Sequence, residues 1–172
     1  MTDTGETVTE FPAFSPADWQ ELTAYLRTEN CQVGATLFAE GDASDGLYFL
    51  LGGKFAVQKK GGLPGKVQTV ALLSAGSVAG EGALAGIVDY DGVQPKKSPL
   101  PGAGEDDSMA GISRRHATLV CLEAGGVLFL SQEAHARLCQ DNPRLCLTLC
   151  HYLLRISSLR LGCASDRLAV LL

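Results

Sequence analysis

Two short stretches carry the residues best suited to chemistry: Gly80-Glu81-Gly82-Ala83-Leu84 and Arg114-Arg115-His116-Ala117-Thr118. Glycines leading into a single helical turn leave backbone N–H groups unpaired and pointing outward, which favours an anion by geometry and dipole. An arginine beside them supplies the charge-assisted, bidentate partner that suits a phosphate. Glu81 would repel that phosphate unless turned elsewhere, and a sugar hydroxyl is a natural donor for it. One phosphate, one sugar and no P-loop lysine describe a nucleotide of low charge. The competing reading of the same residues is a solvated glutamate and a surface arginine.

Other reactive side chains point to packing. His135 and Cys139 are four apart in a helical stretch, with Cys146, Cys150 and His151 following. A metal site can be drawn there, but such a stripe reads as core packing plus one exposed histidine. A jelly-roll metal enzyme needs two or three histidines close together on strands, and only His116 lies on a predicted strand. Cys121 sits in an apolar strand and reads as buried rather than nucleophilic. Kinase signatures are absent, so no catalytic residue, metal or cofactor is assigned and the chain is not expected to be an enzyme. The six cysteines, Cys31, Cys121, Cys139, Cys146, Cys150 and Cys163, do not form a disulfide framework. They are expected to be reduced thiols acting as small apolar residues in the cytosol.

These stretches must be positioned by short strands. Thr36-Leu37-Phe38, residues 46–51, Phe55-Ala56-Val57, residues 67–73, 116–122 and 127–130 are strand-length apolar runs separated by glycine-containing turns. Six or more short strands without long helices between them predict an antiparallel roll or barrel. Ahead of them, Ser15-Pro16-Ala17-Asp18-Trp19 gives an N-cap, a proline at the first helical position and an acid in the first turn. The predicted helix spans 15–28, with Trp19, Leu22 and Leu26 on one face. Helices are expected again over 131–172, with Leu145, Leu149, Leu153 and Ile156 on one face and Gly162 as a kink or break before Leu168, Leu171 and Leu172.

The expected organisation is a flexible lead-in over 1–14 and one domain over 15–172. The domain comprises the helix, a β-roll over 31–130 and C-terminal helices. Residues 85–113 interrupt the roll with glycine, proline and charge in no period, and read as a long exposed loop. With 172 residues, one core suffices without a staple. Twenty glycines are an excess that fits many turns. The formal charge of −5 argues against a nucleic-acid partner. That charge is unevenly placed: residues 1–30 carry −5 and 85–113 carry −3, while 31–84 are neutral and 114–130 carry +1. The predicted chamber is therefore neutral to slightly basic, as a singly charged phosphate requires. The start of the chain has no basic or apolar leader, and no apolar run is long enough to span a membrane, so a cytoplasmic location is expected.

In order and spacing, residues 15–161 resemble a cyclic nucleotide-binding domain, the β-roll module of catabolite activator proteins, cyclic-nucleotide-dependent kinases and gated ion channels. Gly34, Glu40-Gly41-Asp42, the hairpin residues 47–54 and Gly76 fall where that family has its turns. The resemblance makes residues 80–84 and 115–118 the phosphate-binding cassette. It implies that Glu81 accepts from the ribose 2′-hydroxyl and that Arg115 pairs with the exocyclic phosphate oxygens. The amides of Gly82, Ala83 and Leu84 would cradle the phosphate, and Ala117 or Thr118 would touch the cyclic phosphate or base.

Three departures stand out: Ala79 where an aromatic is usual, His116 after the arginine, and a far longer gap between Leu84 and Arg115. The position of His116 leaves cyclic AMP and cyclic GMP equally open. Residues 155–172 resemble the end of the domain that follows the membrane and STAS domains of some SulP-type sulfate permeases. That resemblance implies a regulatory tail at the cytoplasmic face of an anion transporter. Taken together, the expected function is a non-catalytic sensor in which ligand capture moves the cassette and the helix over 141–161 reports occupancy to an attached or partner domain. The alternative is a degenerate roll that keeps the fold, loses the ligand and acts as an interaction or scaffold domain.

Overall fold

Short apolar runs broken by glycine turns give the chain its antiparallel pairing. The computed structural model describes residues 11–61, 65–84 and 114–171, divided into two compact units: Arg27–Gln132, and the segments before and after it. The predicted lead-in residues 1–10, the interrupting loop 85–113 and the side chains of Leu168, Leu171 and Leu172 lie outside the described residues.

The first unit is the predicted roll. Its strands are β1 (Arg27–Cys31), β2 (Thr36–Phe38), β3 (Gly46–Leu50), β4 (Lys54–Lys60), β5 (Val67–Ser74), β6 (Val78–Ala79), β7 (Thr118–Glu123) and β8 (Gly125–Ser131). They form two four-stranded antiparallel sheets, ordered β1-β8-β3-β6 and β2-β7-β4-β5. Strand β3 is buried along its whole length, which explains its unbroken Leu-Tyr-Phe-Leu run. Tyr48, Leu50, Val127 and Phe129 of one sheet and Phe55, Leu119 and Cys121 of the other belong to one core cluster. Within it the Tyr48 and Phe129 rings are 4.8 Å apart. Burial, reinforced by Cys121, pushes the Cys31 thiol up to about 11. Gly125 has no room for a side chain, because a Cβ there would fall on the backbone of Gly52.

Two strands were not expected. β1 is mostly polar and exposed, so it carries no alternating apolar signal, and β6 is only two residues long. The roll therefore begins at Arg27 rather than residue 31.

The second unit is helical. In α1 (Pro16–Thr23) the Ser15 hydroxyl accepts from the Asp18 amide at 3.1 Å, as the capping pattern predicts. The helix ends at Thr23, not residue 28. Bonds from the amides of Tyr25 and Leu26 to the Leu22 and Thr23 carbonyls tighten the last turn, and the chain enters β1. Phe11 and Phe14 are not a loose lead-in. Both are buried, with ring centroids 4.8 and 5.8 Å from Trp19.

A single residue, Asn142, separates α2 (Gln132–Asp141) from α3 (Pro143–Leu171). Its amide donates to the Leu138 carbonyl and its side chain accepts from the Leu145 amide at 3.0 Å, capping α3. Leu145, Leu149 and Leu153 are buried as predicted, and Ile156 is half-buried. Gly162 does not break α3. Among the described residues, no helix is long and apolar enough to cross a membrane.

The cysteines divide. Cys31 and Cys121 are buried thiols of the roll, and Cys150 and Cys163 are exposed. Cys139 and Cys146 are joined by a disulfide, contrary to the expectation that all six are reduced. The Asn142 corner brings their Cα atoms to 5.0 Å, well within bridging distance.

Candidate functional site

The roll brings the two sequence stretches together. After β6, Gly80 turns the chain at φ 77°, and Glu81–Leu84 forms one 3-10 turn. Arg115 follows an isolated bridge between Ala43 and Arg114 and leads into β7. Its guanidinium reaches back to the turn: Nη1 lies 3.5 Å from the Gly80 carbonyl, and Nη2 donates to Asp45 Oδ1 at 2.7 Å. A Cβ on Gly80 would fall on Nη1, so glycine is required there both for backbone angle and for room.

The electrostatics of this arginine are unusual. Its side chain is 2% exposed, whereas that of Asp45 is 69% exposed. Its Cζ sits 4.2 Å from the Phe38 ring centroid, a cation–π contact in a desolvated setting. Among the described residues its Nε is buried without a hydrogen-bond partner. The result, among the described residues, is a fixed, incompletely satisfied cation whose carboxylate partner, Asp45, is in water.

Loops on two sides hold this geometry. In the Glu40-Gly41-Asp42 turn, the Asp42 carbonyl accepts from the Arg115 amide at 2.8 Å, and the Gly41 amide donates to the Arg115 carbonyl at 2.9 Å. The Glu40 amide donates to Thr118 Oγ1, and the Glu40 carboxylate accepts from the Lys60 amide, both at 2.9 Å. On the other side, Gln132 Nε2 donates to the carbonyls of Ser44 and Ala83 at 2.8 Å each.

The predicted residues divide by placement. Gly80 and Glu81 are half-buried, Gly82 and His116 are exposed, Ala83, Leu84 and Arg115 are buried, and Ala117 and Thr118 are half-buried. The Ala83 amide closes the 3-10 turn onto the Gly80 carbonyl at 3.0 Å. In this conformation it is therefore not a free donor of the expected cradle. Sequence reasoning missed Asp45, Phe38 and Gln132. Asp45 precedes the glycine that opens β3 and Gln132 follows β8, but long-range partners leave no local pattern.

The comparisons agree with this architecture. Residues 28–91 match the family model described as "Cyclic nucleotide-binding domain", a span that includes the Glu81–Leu84 turn and ends before Arg115. No curated protein sequence matches the chain. Among solved structures, the catabolite activator protein of Thermus thermophilus aligns with TM-score 0.67 and 23% identity over 94% of this chain. The chain spans 62% of that protein's length. A cyclic nucleotide-binding domain from Methylobacillus flagellatus aligns with TM-score 0.66 and 24% identity, covering 92% of this chain and 75% of that one. The regulatory domain of Toxoplasma gondii PKA, crystallised with cAMP, aligns with TM-score 0.51 and 18% identity over 74% of this chain and 39% of its own. With two antiparallel sheets, a glycine-led 3-10 turn and helices following β8, the chain has the β-roll fold of cyclic nucleotide-binding domains.

Proposed function

We propose that the chain is a non-catalytic regulatory module whose roll binds a cyclic nucleotide, cyclic AMP or cyclic GMP, at residues 80–84 and 115–118. The observation that carries this reading is Arg115: a buried guanidinium beside a glycine-led turn, with a spare donor and a solvent-exposed partner. An incoming phosphate takes the place of Asp45 on the fork, a bidentate exchange that costs no burial of new positive charge. Glu81 accepts from a ribose hydroxyl, and the Gly82 amide faces the phosphate, while the Leu84 amide, like that of Ala83, must leave its 3-10 bond to join the cradle. The Thr118 hydroxyl accepts from Glu40 and keeps its own proton to donate to the ligand. Ala117 and His116 flank the same edge.

Gln132 supports transmission. It is the first residue of α2 and holds the Ala83 carbonyl, so a shift of the turn is felt where the helices begin. The effector is an attached or partner domain. The likeness of residues 155–172 to a transporter tail makes a SulP-type anion transporter the finer candidate, with the module at the cytoplasmic face.

Calorimetry with cyclic AMP and cyclic GMP on the wild type and on Arg115→Ala tests the site. Binding heat is expected with at least one nucleotide. Loss of the charged hydrogen bonds, worth about 1.5–3 kcal/mol, should weaken binding in Arg115→Ala by roughly 10–100-fold. Absence of both heat and thermal stabilisation at millimolar ligand would sink the sensor reading. It would leave the roll as an interaction or scaffold domain, a reading that the internal Arg115–Asp45 pair favours.

A further inference from the structure

The α2–α3 corner concentrates soft ligands that nucleotide recognition does not use. His135 and Cys139 lie one turn apart on α2, and Cys146 lies in the first turn of α3. Their ligand atoms fall within 4.8 Å of one another. His135 Nε2 is 3.6 Å from the Cys139 sulfur and 3.8 Å from the Cys146 sulfur. Zinc–sulfur and zinc–nitrogen bonds of about 2.3 and 2.05 Å at a tetrahedral angle give a nitrogen–sulfur edge of about 3.6 Å. The imidazole is thus already placed as one corner of such a site.

The setting favours a ligand role over packing. His135 and Cys146 are buried, and Leu138, Leu145 and Leu149 beside them on the same two helices are fully buried. Among the described residues the other ring nitrogen, Nδ1, is buried with no hydrogen-bond partner, and it is Nε2 that the ring turns toward both sulfurs. The corner itself is rigid, since Asn142 caps α3 and Pro143 starts it.

We infer that His135, Cys139 and Cys146 form a redox-gated zinc(II) site: the reduced pair binds the ion with His135 Nε2, and the disulfide excludes it. In the reduced state the sulfurs part to about 3.8 Å, the sulfur–sulfur edge of the same tetrahedron. One nitrogen and two thiolates hold the ion, and water takes the fourth corner. A peroxide is the oxidant class that empties the site. Two thiolates give two electrons to hydrogen peroxide, the O–O bond breaks, the Cys139–Cys146 S–S bond forms, two protons are taken up, two waters leave, and zinc departs as the divalent ion. A dithiol reductant reverses the sulfur chemistry. Nucleotide binding is not required, so this inference stands apart from the sensor reading.

The test uses the full chain carrying Cys150→Ser and Cys163→Ser, which removes the exposed thiols. After reduction and anaerobic desalting, cobalt(II) should give a thiolate-to-metal charge-transfer band and intense tetrahedral visible bands. Zinc should displace the cobalt at one ion per chain. One equivalent of hydrogen peroxide should abolish the bands and consume both thiols, and the oxidised chain should bind no zinc. His135→Ala should keep the fold by circular dichroism and weaken cobalt affinity by at least the roughly 10–100-fold that a lost supporting partner costs. The inference is overturned if the reduced, folded chain shows no thiolate-to-cobalt band. It is equally overturned if the band survives Cys139→Ser, if His135→Ala leaves affinity unchanged, or if oxidised and reduced chains bind equal zinc.

Discussion

An Arg–Asp pair in the roll and another in the helical unit are built in opposite ways. In the roll the base is buried and the acid stands in water: Arg115 is 2% exposed and Asp45 69%. In the helical unit the acid is sheltered and the base is in water: Asp18 is 14% exposed and Arg144 67%. Asp18 is also tied to the Ser15 cap, so its position is fixed by helix geometry. Arg115 is held by a carbonyl, an aromatic face and the backbone around it, none of which neutralises charge. A fixed cation with an exchangeable anion is suited to an incoming ligand. A fixed anion with a flexible cation serves to fasten helices.

Gly80→Ala should break the roll's half of this contrast most severely. Left-handed backbone costs a residue with a Cβ about 1–2 kcal/mol, and the new methyl displaces Nη1 from the Gly80 carbonyl. Denaturant unfolding should show a loss of about 2–3 kcal/mol when the weakened hydrogen bond, worth about 1 kcal/mol, is added. Ligand affinity should fall with it. A variant as stable as wild type would mean that the turn relaxes freely and that Arg115 is not fixed by it.

Gln132→Ala follows in size. It leaves the Ser44 and Ala83 carbonyls without their side-chain donor, at roughly 1–2 kcal/mol for two partly buried bonds. Gln132→Glu sharpens the point, because at neutral pH a carboxylate only accepts and would face two carbonyl oxygens. Glu should therefore destabilise more than Ala in thermal melts. The reverse order would show that the amide is not what holds the turn.

Much of the roll was readable from sequence because its strands are short apolar runs cut by glycine turns, and the fold brings Gly80 and Arg115 of the two singled-out stretches into contact. What escaped was set at a distance. β1 pairs through backbone groups while showing mostly polar side chains, and the apolar spacing of Trp19, Leu22 and Leu26 extended a helix past the point where strand pairing ends it. Asp45, Phe38 and Gln132 became visible only once the sheets brought them to Arg115 and the Ala83 carbonyl. The Cys139–Cys146 bridge depends on a one-residue corner whose angle no periodicity reports.

The smallest expected effect is in the helical unit, at the Asp18–Arg144 pair. The Arg144 guanidinium, with the Ser15 hydroxyl, holds the Asp18 carboxyl below its ordinary range. A depressed folded-state value contributes stability above the unfolded value, about 3.9, and loses it as pH falls through the folded one. Carboxyl NMR titration should therefore place the Asp18 midpoint below that of an ordinary aspartate. Arg144→Ala should raise it, though not fully, because Ser15 still donates. At neutral pH the same variant should shift the melting temperature by little more than measurement scatter, since an exposed cation on a flexible stem is screened by solvent and salt. Nucleotide binding should not change, in contrast with Arg115→Ala. An Asp18 midpoint unmoved by Arg144→Ala would dissolve the contrast, because the sheltered acid would then owe nothing to the base that faces it.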